Sequence, residues 1–124
     1  MLPEDDVEFL AEKVLAPDIV KNGGDLLVTF RGFVLPAVYE PSTVDLRIVL
    51  GASYPNANPD MFWTRPWVKL KANGNDPEAS SYSQPFADGQ WQRWSRHFHQ
   101  GWRPGVDGLR TYLATVRREL QRGV

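Results

Sequence analysis

Cysteine is absent from this 124-residue sequence. Without a thiol, the chain cannot form disulfides, bind a metal through thiolates or use a cysteine nucleophile. The two histidines both lie in one segment, as His97 and His99. Imidazoles two residues apart converge on a strand, but zinc needs three or four ligands, so carboxylates would have to complete such a site. We therefore expect no metal site and no cofactor.

Long hydrophobic runs are also missing. No stretch approaches the roughly 20 consecutive apolar residues of a membrane-spanning helix. The first residues are acidic, unlike the basic and then apolar start of a secretory signal. A length of 124 residues and a hydrophobic content of 42% suit a single domain over residues 1–124. We expect a cytoplasmic protein that does not bind membranes.

Positive charge is concentrated in the last quarter of the chain. The formal net charge is −1, but residues 93–124 carry seven arginines against only Asp107 and Glu119. Such an asymmetry can orient a protein partner. Arginines and aromatic rings can also bind nucleic acid, but the net charge and the lack of a nucleic-acid-binding motif argue against it. We expect no nucleic-acid partner.

Hydrophobic periodicity and turn residues predict an α+β domain. Helices are expected over residues 4–14 and 106–122, and strands over residues 26–35, 44–50 and 61–70. Pro66 would require an edge position or a bulge in the last strand. Residues 71–89 are rich in Asn, Gly, Asp, Ser and Pro and predict a long loop. The order is that of an antiparallel meander packed against a helix.

Residues 90–109 concentrate the side chains that are best suited to recognition or chemistry. Tryptophan and arginine both anchor protein interfaces, and arginine stacks on aromatic rings. The tryptophans can equally pack the segment onto the sheet and helix. The segment contains three tryptophans, three arginines and one serine: Trp91, Trp94, Trp102, Arg93, Arg96, Arg103 and Ser95.

Ser95 is the one hydroxyl nucleophile in this segment. A serine needs a base to remove its proton, and His97 is two residues away, on the same face if the segment is a strand. A carboxylate would orient the histidine, and Asp88 and Asp107 are the nearest in sequence. The alternative is that Ser95 is only a hydrogen-bonding turn residue.

Two motifs resemble the ubiquitin-conjugating (E2) domain. Tyr54-Pro55, with Pro59 four residues further on, is similar to the Tyr-Pro…Pro-Pro turn of E2 domains, and residues 102–109 are similar to their Trp-Ser-Pro segment. Residues 54–63 and 91–98 resemble a bacterial E2-like family found with ubiquitin-like, E1-like and deubiquitinase-like proteins. The resemblance implies an N-terminal helix, a four-stranded antiparallel meander, an active-site-type loop and a C-terminal helix.

The chain departs from the E2 pattern at the catalytic positions. The His-Pro-Asn tripeptide of E2 enzymes falls on residues 69–71, and Asn73 or Asn75 could replace its asparagine only through a shifted loop. Counting back from Trp102 places the E2 cysteine at Trp94. Matching residues 89–92 to the E2 Gly-x-Ile-Cys places it at Gln92. Neither side chain can form a thioester.

The resemblance therefore implies a cysteine-less E2 variant. We expect a non-catalytic component of a bacterial ubiquitin-like conjugation pathway, whose partners are the ubiquitin-like protein or its E1-like or E2-like enzymes. An acyl carrier that uses Ser95 and His97 to form an oxyester is the first alternative, and a scaffold domain unrelated to ubiquitin-like proteins is the second. The expected binding surface contains Arg93, Trp94, Arg96, His97, Trp102 and Arg103.

Overall fold

A computed structural model describes residues 2–98 and 101–124. Over these residues the chain forms two α-helices and eight β-strands, which confirms the predicted α+β class. In chain order they are α1 (Glu4–Glu12), β1 (Asp18–Asn22), β2 (Asp25–Val34), β3 (Tyr39–Glu40), β4 (Thr43–Leu50), β5 (Phe62–Arg65), β6 (Lys69–Leu70), β7 (Tyr82–Phe86), β8 (Gly89–Trp94) and α2 (Leu109–Gln121).

The main sheet is antiparallel and has six strands in the described chain, in the order β1-β2-β4-β5-β8-β7. Strands β3 and β6 pair separately. The first four strands of the main sheet form a meander, and the hairpin of β7 and β8 extends it. The four-stranded meander that the resemblance implied corresponds to β1, β2, β4 and β5, and the sheet continues beyond it. The prediction of a loop throughout residues 71–89 was wrong, because these residues contain β7. The exposed edge strand β7 has few β-branched residues to reveal it.

The predicted strand over residues 61–70 is two short strands. Strand β5 ends at Arg65, a cis Arg65–Pro66 bond follows, and β6 begins at Lys69. Proline lacks the N–H that a sheet ladder requires, so the chain leaves the main sheet before Pro66. The expected edge position or bulge was wrong, because β5 lies between β4 and β8.

The apolar core lies between the sheet and α2. Alternate residues of β4 face this core, and α2 contributes the stripe that its spacing predicted. Helix α2 begins three residues later than the predicted start at position 106. The core residues from these two elements are Val44, Leu46, Ile48, Leu50, Leu109, Leu113, Val116 and Leu120.

The carboxylate of Asp6 joins α1 to α2 and to the turn after β4. Asp6 is 2% exposed. Its Oδ1 accepts the N–H of Leu109, the first residue of α2, at 2.9 Å, and its Oδ2 accepts the hydroxyl of Tyr54 at 2.5 Å. Gly108 precedes the helix and has no side chain to cap it, so Asp6 caps α2 from another helix. Burial and the adjacent Asp6 carboxylate raise the pKa of Tyr54, which keeps its hydroxyl a donor.

In residues 2–98 and 101–124, neither helix has the length and apolar character needed to cross a membrane.

We predict that Gly108→Ala destabilises the fold. A methyl group at this position would lie 2.6 Å from Oδ1 of Asp6 and 3.3 Å from the Tyr54 hydroxyl, so it would displace the cap. We expect the free energy of unfolding, measured by urea denaturation, to fall by about 1–3 kcal/mol.

The matched control is Gly24→Ala, because a methyl group there meets only Cβ of Ala52, at an ordinary 3.7 Å. Equal stabilities of the two variants would contradict the capping role of Asp6.

Candidate functional site

The candidate site is the described part of the β8–α2 connection, residues 95–98 and 101–108, together with the turn of residues 54–60 against which it packs. Three hydrogen bonds fasten the connection to the turn. The amide of Asn58 donates to the carbonyl of Phe98 at 2.6 Å, the indole of Trp102 donates to the carbonyl of Pro55 at 2.9 Å, and Nδ1 of His97 lies 2.9 Å from the carboxylate of Asp60. The turn therefore sets the path of the connection.

The two motifs that carry the E2 resemblance contact each other. The rings of Tyr54 and Trp102 are 6.3 Å apart between centroids and tilted by 47°. The Tyr54–Pro55 bond is cis, and its proline accepts the Trp102 indole hydrogen bond. Motifs almost fifty residues apart in sequence thus form one structural unit.

Strand β8 divides the predicted recognition cluster between the two faces of the sheet. Trp94 and Gln92 project towards α2, and Trp91 and Arg93 project to the opposite face, because successive strand residues alternate. Trp91 and Trp94 are both buried. These aromatic residues pack the sheet and do not form one exposed patch.

Gln92 and Trp94, the two positions at which the resemblance places the E2 cysteine, are both buried. Gln92 is 1% exposed, and its Oε1 accepts the N–H of Val68 at 2.6 Å and the hydroxyl of Thr64 at 3.2 Å. Its Nε2 donates to the carbonyls of Val68 and Ser80. Trp94 stacks on Phe62. Gln92 therefore holds β5, β8 and two loops together.

Ser95 and His97 have different described partners. The Ser95 hydroxyl oxygen accepts Nε–H of Arg93 at 3.1 Å, and its backbone N–H donates to the carbonyl of Ala79 at 2.8 Å. His97 instead pairs with Asp60. These hydrogen bonds do not assemble the serine–histidine pair that an oxyester carrier would need.

The carboxylate beside His97 belongs to Asp60, and not to either of the carboxylates nearest to His97 in sequence. Asp88 binds Arg47, and Asp107 binds Arg103, so neither of the two predicted carboxylates orients the histidine. Asp60 fills that place, and proximity in sequence could not have identified it. An acceptor at Nδ1 favours the tautomer that carries its proton there.

Arg96 is an internal structural residue. It is buried, and it donates to the carbonyl of Glu78 from Nε and Nη2, at 3.1 and 3.0 Å. Its Nη2 also donates to the carbonyl of Val124 at 2.5 Å, and its Nη1 lies 3.4 Å from the carboxylate of Glu119. The guanidinium stacks on Trp94. Arg96 therefore ties the β8–α2 connection to the last residues of the chain described.

The remaining predicted binding residues reach solvent in different places. Arg93 is half-buried on the far face of the sheet, with its guanidinium 4.1 Å from the ring centroid of Tyr82. His97 and Arg103 are exposed, and Trp102 is half-buried. Arg103 is joined to Asp107, whose carboxylate accepts the Arg103 backbone N–H at 2.7 Å. Of the residues predicted to form the binding surface, the β8–α2 connection therefore exposes His97, Trp102 and Arg103.

A surface groove of about 430 Å³ lies between the β8–α2 connection and α2. Its lining combines aromatic, polar and charged side chains, and includes Phe98, Trp102, Arg103, Asp107, Tyr112 and Arg118. Aromatic surface beside arginine is the composition of many protein-binding sites.

The opposite face of the sheet contains a buried cation–aromatic cluster that the sequence did not reveal. The guanidinium groups of Arg47 and Arg65 lie 4.0 and 4.3 Å from the ring centroid of Trp91. Asp88 accepts two hydrogen bonds from Arg47, at 3.0 and 2.7 Å, and one from the Trp91 indole. The hydrogen bonds from Arg47 lower the pKa of Asp88 to about 2. This cluster locks the β7–β8 hairpin against β4.

No group of three or more His, Cys, Asp or Glu residues within residues 2–98 and 101–124 could hold a metal ion. His99 lies outside the described residues, so the predicted convergence of His97 and His99 stays a prediction. Asn73 and Asn75, the alternatives for the E2 asparagine, hydrogen bond to each other in an exposed turn, where the Asn73 side chain accepts the Asn75 N–H.

Comparison with known families decides the relationship. The family model described as prokaryotic E2 family E matches residues 2–123. The chain belongs to prokaryotic E2 family E. No curated protein and no solved structure shows significant similarity to it. Membership of prokaryotic E2 family E confirms the predicted bacterial E2-like relationship and suggests a ubiquitin-like conjugation context.

We predict that Asp88→Asn lowers the free energy of unfolding by about 1–2 kcal/mol at pH 7, a value reduced for the partial exposure of Asp88. The pKa of Asp88 is depressed in the folded state, so its stabilising effect is present above 3.8 and is lost as the pH falls through about 2. The difference from the wild type should therefore shrink as the pH falls between these values, measured by urea denaturation.

Glu8→Gln is the control, since Glu8 is exposed on α1. A stability difference for Asp88→Asn that stays constant down to pH 2 would show that the ion pair with Arg47 is not responsible.

Proposed function

We propose that this member of prokaryotic E2 family E acts in a ubiquitin-like conjugation pathway by binding other proteins and carries no acyl group itself. The observation that carries the proposal is the state of the two positions corresponding to the E2 cysteine. Gln92 and Trp94 are buried, and the side-chain amide of Gln92 forms hydrogen bonds with the backbone of Val68 inside the fold. The sequence has no cysteine that could act from elsewhere.

The architecture supports a fold of the ubiquitin-conjugating type. An N-terminal helix precedes a meander of β1, β2, β4 and β5, and a C-terminal helix covers one face of the sheet. The contact between Tyr54 and Trp102 joins the two segments whose sequences resemble E2 domains. In this proposal, the β8–α2 connection takes the place of the active-site loop and serves as a recognition surface.

The exposed residues of that connection are suited to protein binding. His97 and Arg103 present polar groups to solvent, and the half-buried Trp102 presents an edge beside the groove of about 430 Å³. Asp60 holds the His97 ring, the carbonyl of Pro55 holds the Trp102 indole, and Asn58 holds the backbone at Phe98, so a partner would meet a preorganised surface. The proposed partners are the ubiquitin-like protein of the pathway and its E1-like or E2-like enzymes.

Arg93, Arg96 and Trp94 contribute to this surface in other ways. Trp94 and Arg96 act from the interior, by fixing where the connection leaves β8. Arg93 reaches the opposite face of the sheet and would contact only a partner that extends around the β7 edge. The proposal therefore assigns direct contact to His97, Trp102 and Arg103.

We predict that Arg103→Glu and His97→Ala each weaken binding to the ubiquitin-like or E1-like protein of the proposed pathway. Isothermal titration calorimetry should show wild-type binding at tens of micromolar or tighter and a loss of about tenfold, or about 1.4 kcal/mol, for each variant. Lys21→Glu, which changes an exposed cation on β1 at the other edge of the sheet, should bind as the wild type does.

The proposal fails if the wild-type chain binds none of these proteins at such concentrations. Equal losses in Arg103→Glu and Lys21→Glu would instead indicate an unspecific electrostatic attraction.

We also predict that the chain forms no covalent adduct with the ubiquitin-like protein when the E1-like protein and ATP are supplied. Release of pyrophosphate would show that the E1-like protein is active in the same mixture. An adduct that resists reductant, is cleaved by hydroxylamine and disappears in Ser95→Ala would establish the oxyester carrier and refute a purely binding role.

A further inference from the structure

A second groove, formed by α1, α2 and β2, lies away from the β8–α2 connection. It consists of three adjoining depressions of about 500, 240 and 230 Å³, all of which are lined by Arg117. Leu15 and Leu113 line two of them, and so do Phe33 and Val34. We call this continuous depression the Arg117 groove.

The floor of the Arg117 groove is apolar. Phe9, Phe33 and Leu113 supply buried side chains from α1, β2 and α2. Apolar groups also remain uncovered at its edges, because Val34 is 66% exposed and Val14, between the lining residues Lys13 and Leu15, is 90% exposed. Contiguous apolar surface of this kind, bordered by polar residues, is typical of an interaction site.

The rim of the groove is cationic. Lys13, Arg31, Arg110 and Arg117 line it, and none of its described lining residues is acidic. Arg110 is paired with Glu12 at 3.1 Å, and Arg31 is paired with two aspartates. Within the described chain, Lys13 and Arg117 take part in no ion pair. The groove therefore presents positive charge that its own side chains do not neutralise.

Two of the arginines are preorganised for this role. The guanidinium of Arg117 lies 4.6 Å from the ring centroid of Phe33, and that of Arg110 lies 4.9 Å from the ring centroid of Phe9. Stacking places each guanidinium against the apolar floor. The N–H groups of Arg110 already donate to Glu12, so Arg117, which takes part in no ion pair in the described chain, is the arginine available to a carboxylate. Apolar contact and charge recognition are thus combined along one surface.

The side chains of α2 that line the groove have helical spacing, at positions 110, 113, 114, 117, 120 and 121. They form the ridges against which a second helix packs, with the small residue Ala114 at the centre permitting a close approach. From position 110 to 121 the helix rises about 16 Å, the length of about three helical turns. The groove therefore matches an occupant of roughly eleven residues.

We propose that the Arg117 groove binds an acidic amphipathic helix of about three turns from a partner protein. Apolar side chains of that helix would cover Phe33 and Leu113, and its carboxylates would pair with Arg117 and Lys13. This chemistry stands whether or not the β8–α2 connection binds a ubiquitin-like protein, because no described residue of the connection lines the Arg117 groove. Ala114 of α2 lines both this groove and the groove of about 430 Å³.

A synthetic peptide tests the proposal directly. A fluorescein-labelled helical peptide of leucine, alanine and glutamate, with leucine along one stripe and glutamate beside it, is titrated with the full chain and followed by anisotropy. We expect saturable binding that weakens with added salt. Arg117→Glu and Lys13→Glu should each weaken it by about tenfold or more.

The matched control is Arg118→Glu, the same charge reversal one residue further along α2. Arg118 lines the other groove, beside Trp102, so peptide binding should change by less than about twofold. Circular dichroism and the midpoint of urea unfolding would establish that the variants keep the native fold.

Several results would overturn the proposal. The first is that the peptide shows no saturable binding. The second is that Arg118→Glu weakens peptide binding as much as Arg117→Glu does. The third is that a peptide with lysine in place of glutamate binds as tightly as the acidic peptide. Displacement of the peptide by a short single-stranded DNA would identify the groove as a nucleic-acid site. Dimerisation of the wild type in sedimentation experiments, abolished by Arg117→Glu, would show that a second copy of the chain fills it.

Discussion

The buried carboxylate of Asp6 is the interaction on which the arrangement of the other elements depends. Among the described contacts, Asp6 is the only side chain from outside α2 that caps the first turn of this helix. Asp6 also accepts the hydroxyl of Tyr54 and so fixes its position. Tyr54 packs on Trp102, and the turn that begins with it holds Phe98 and His97. One side chain of α1 therefore positions both the turn and the connection that crosses it. This polar group can be buried here because an N–H and a hydroxyl satisfy its oxygens.

The second organising feature is the alternation of β8. Its residues alternate between the core beneath α2 and the cation–aromatic cluster on the other face, so a run of aromatic and basic residues that is dense in sequence is dispersed in space. In the proposed function, recognition relies on the irregular segment that follows the strand. There hydrogen bonds to the turn hold the carbonyl of Phe98 and the indole of Trp102, and His97 and Arg103 face solvent.

The sequence predicted the parts of the fold that depend on local pattern. Alternation in β4 and the apolar stripe of α2 identified the core, because burial on one face leaves a periodic signal. Strand β7 could not be found in this way, since an edge strand of Tyr, Ser, Gln, Pro and Phe is stabilised by pairing with β8 and carries no periodic signal of its own. The site was harder to predict. Asp60 is 37 residues from His97, and Arg96 resembles a surface arginine until its partners at Glu78 and Val124 are known.

The hydrogen bonds of Gln92 also bear on how the chain could change during evolution. A cysteine at this position could not replace the amide that serves Thr64, Val68 and Ser80, so several buried polar groups would lose their partners at once. The new sulfur would still be enclosed between β5 and β8. A single substitution would thus cost stability without presenting a thiol to any substrate. Acyl-carrier chemistry at this position would therefore also require remodelling of the surrounding loops.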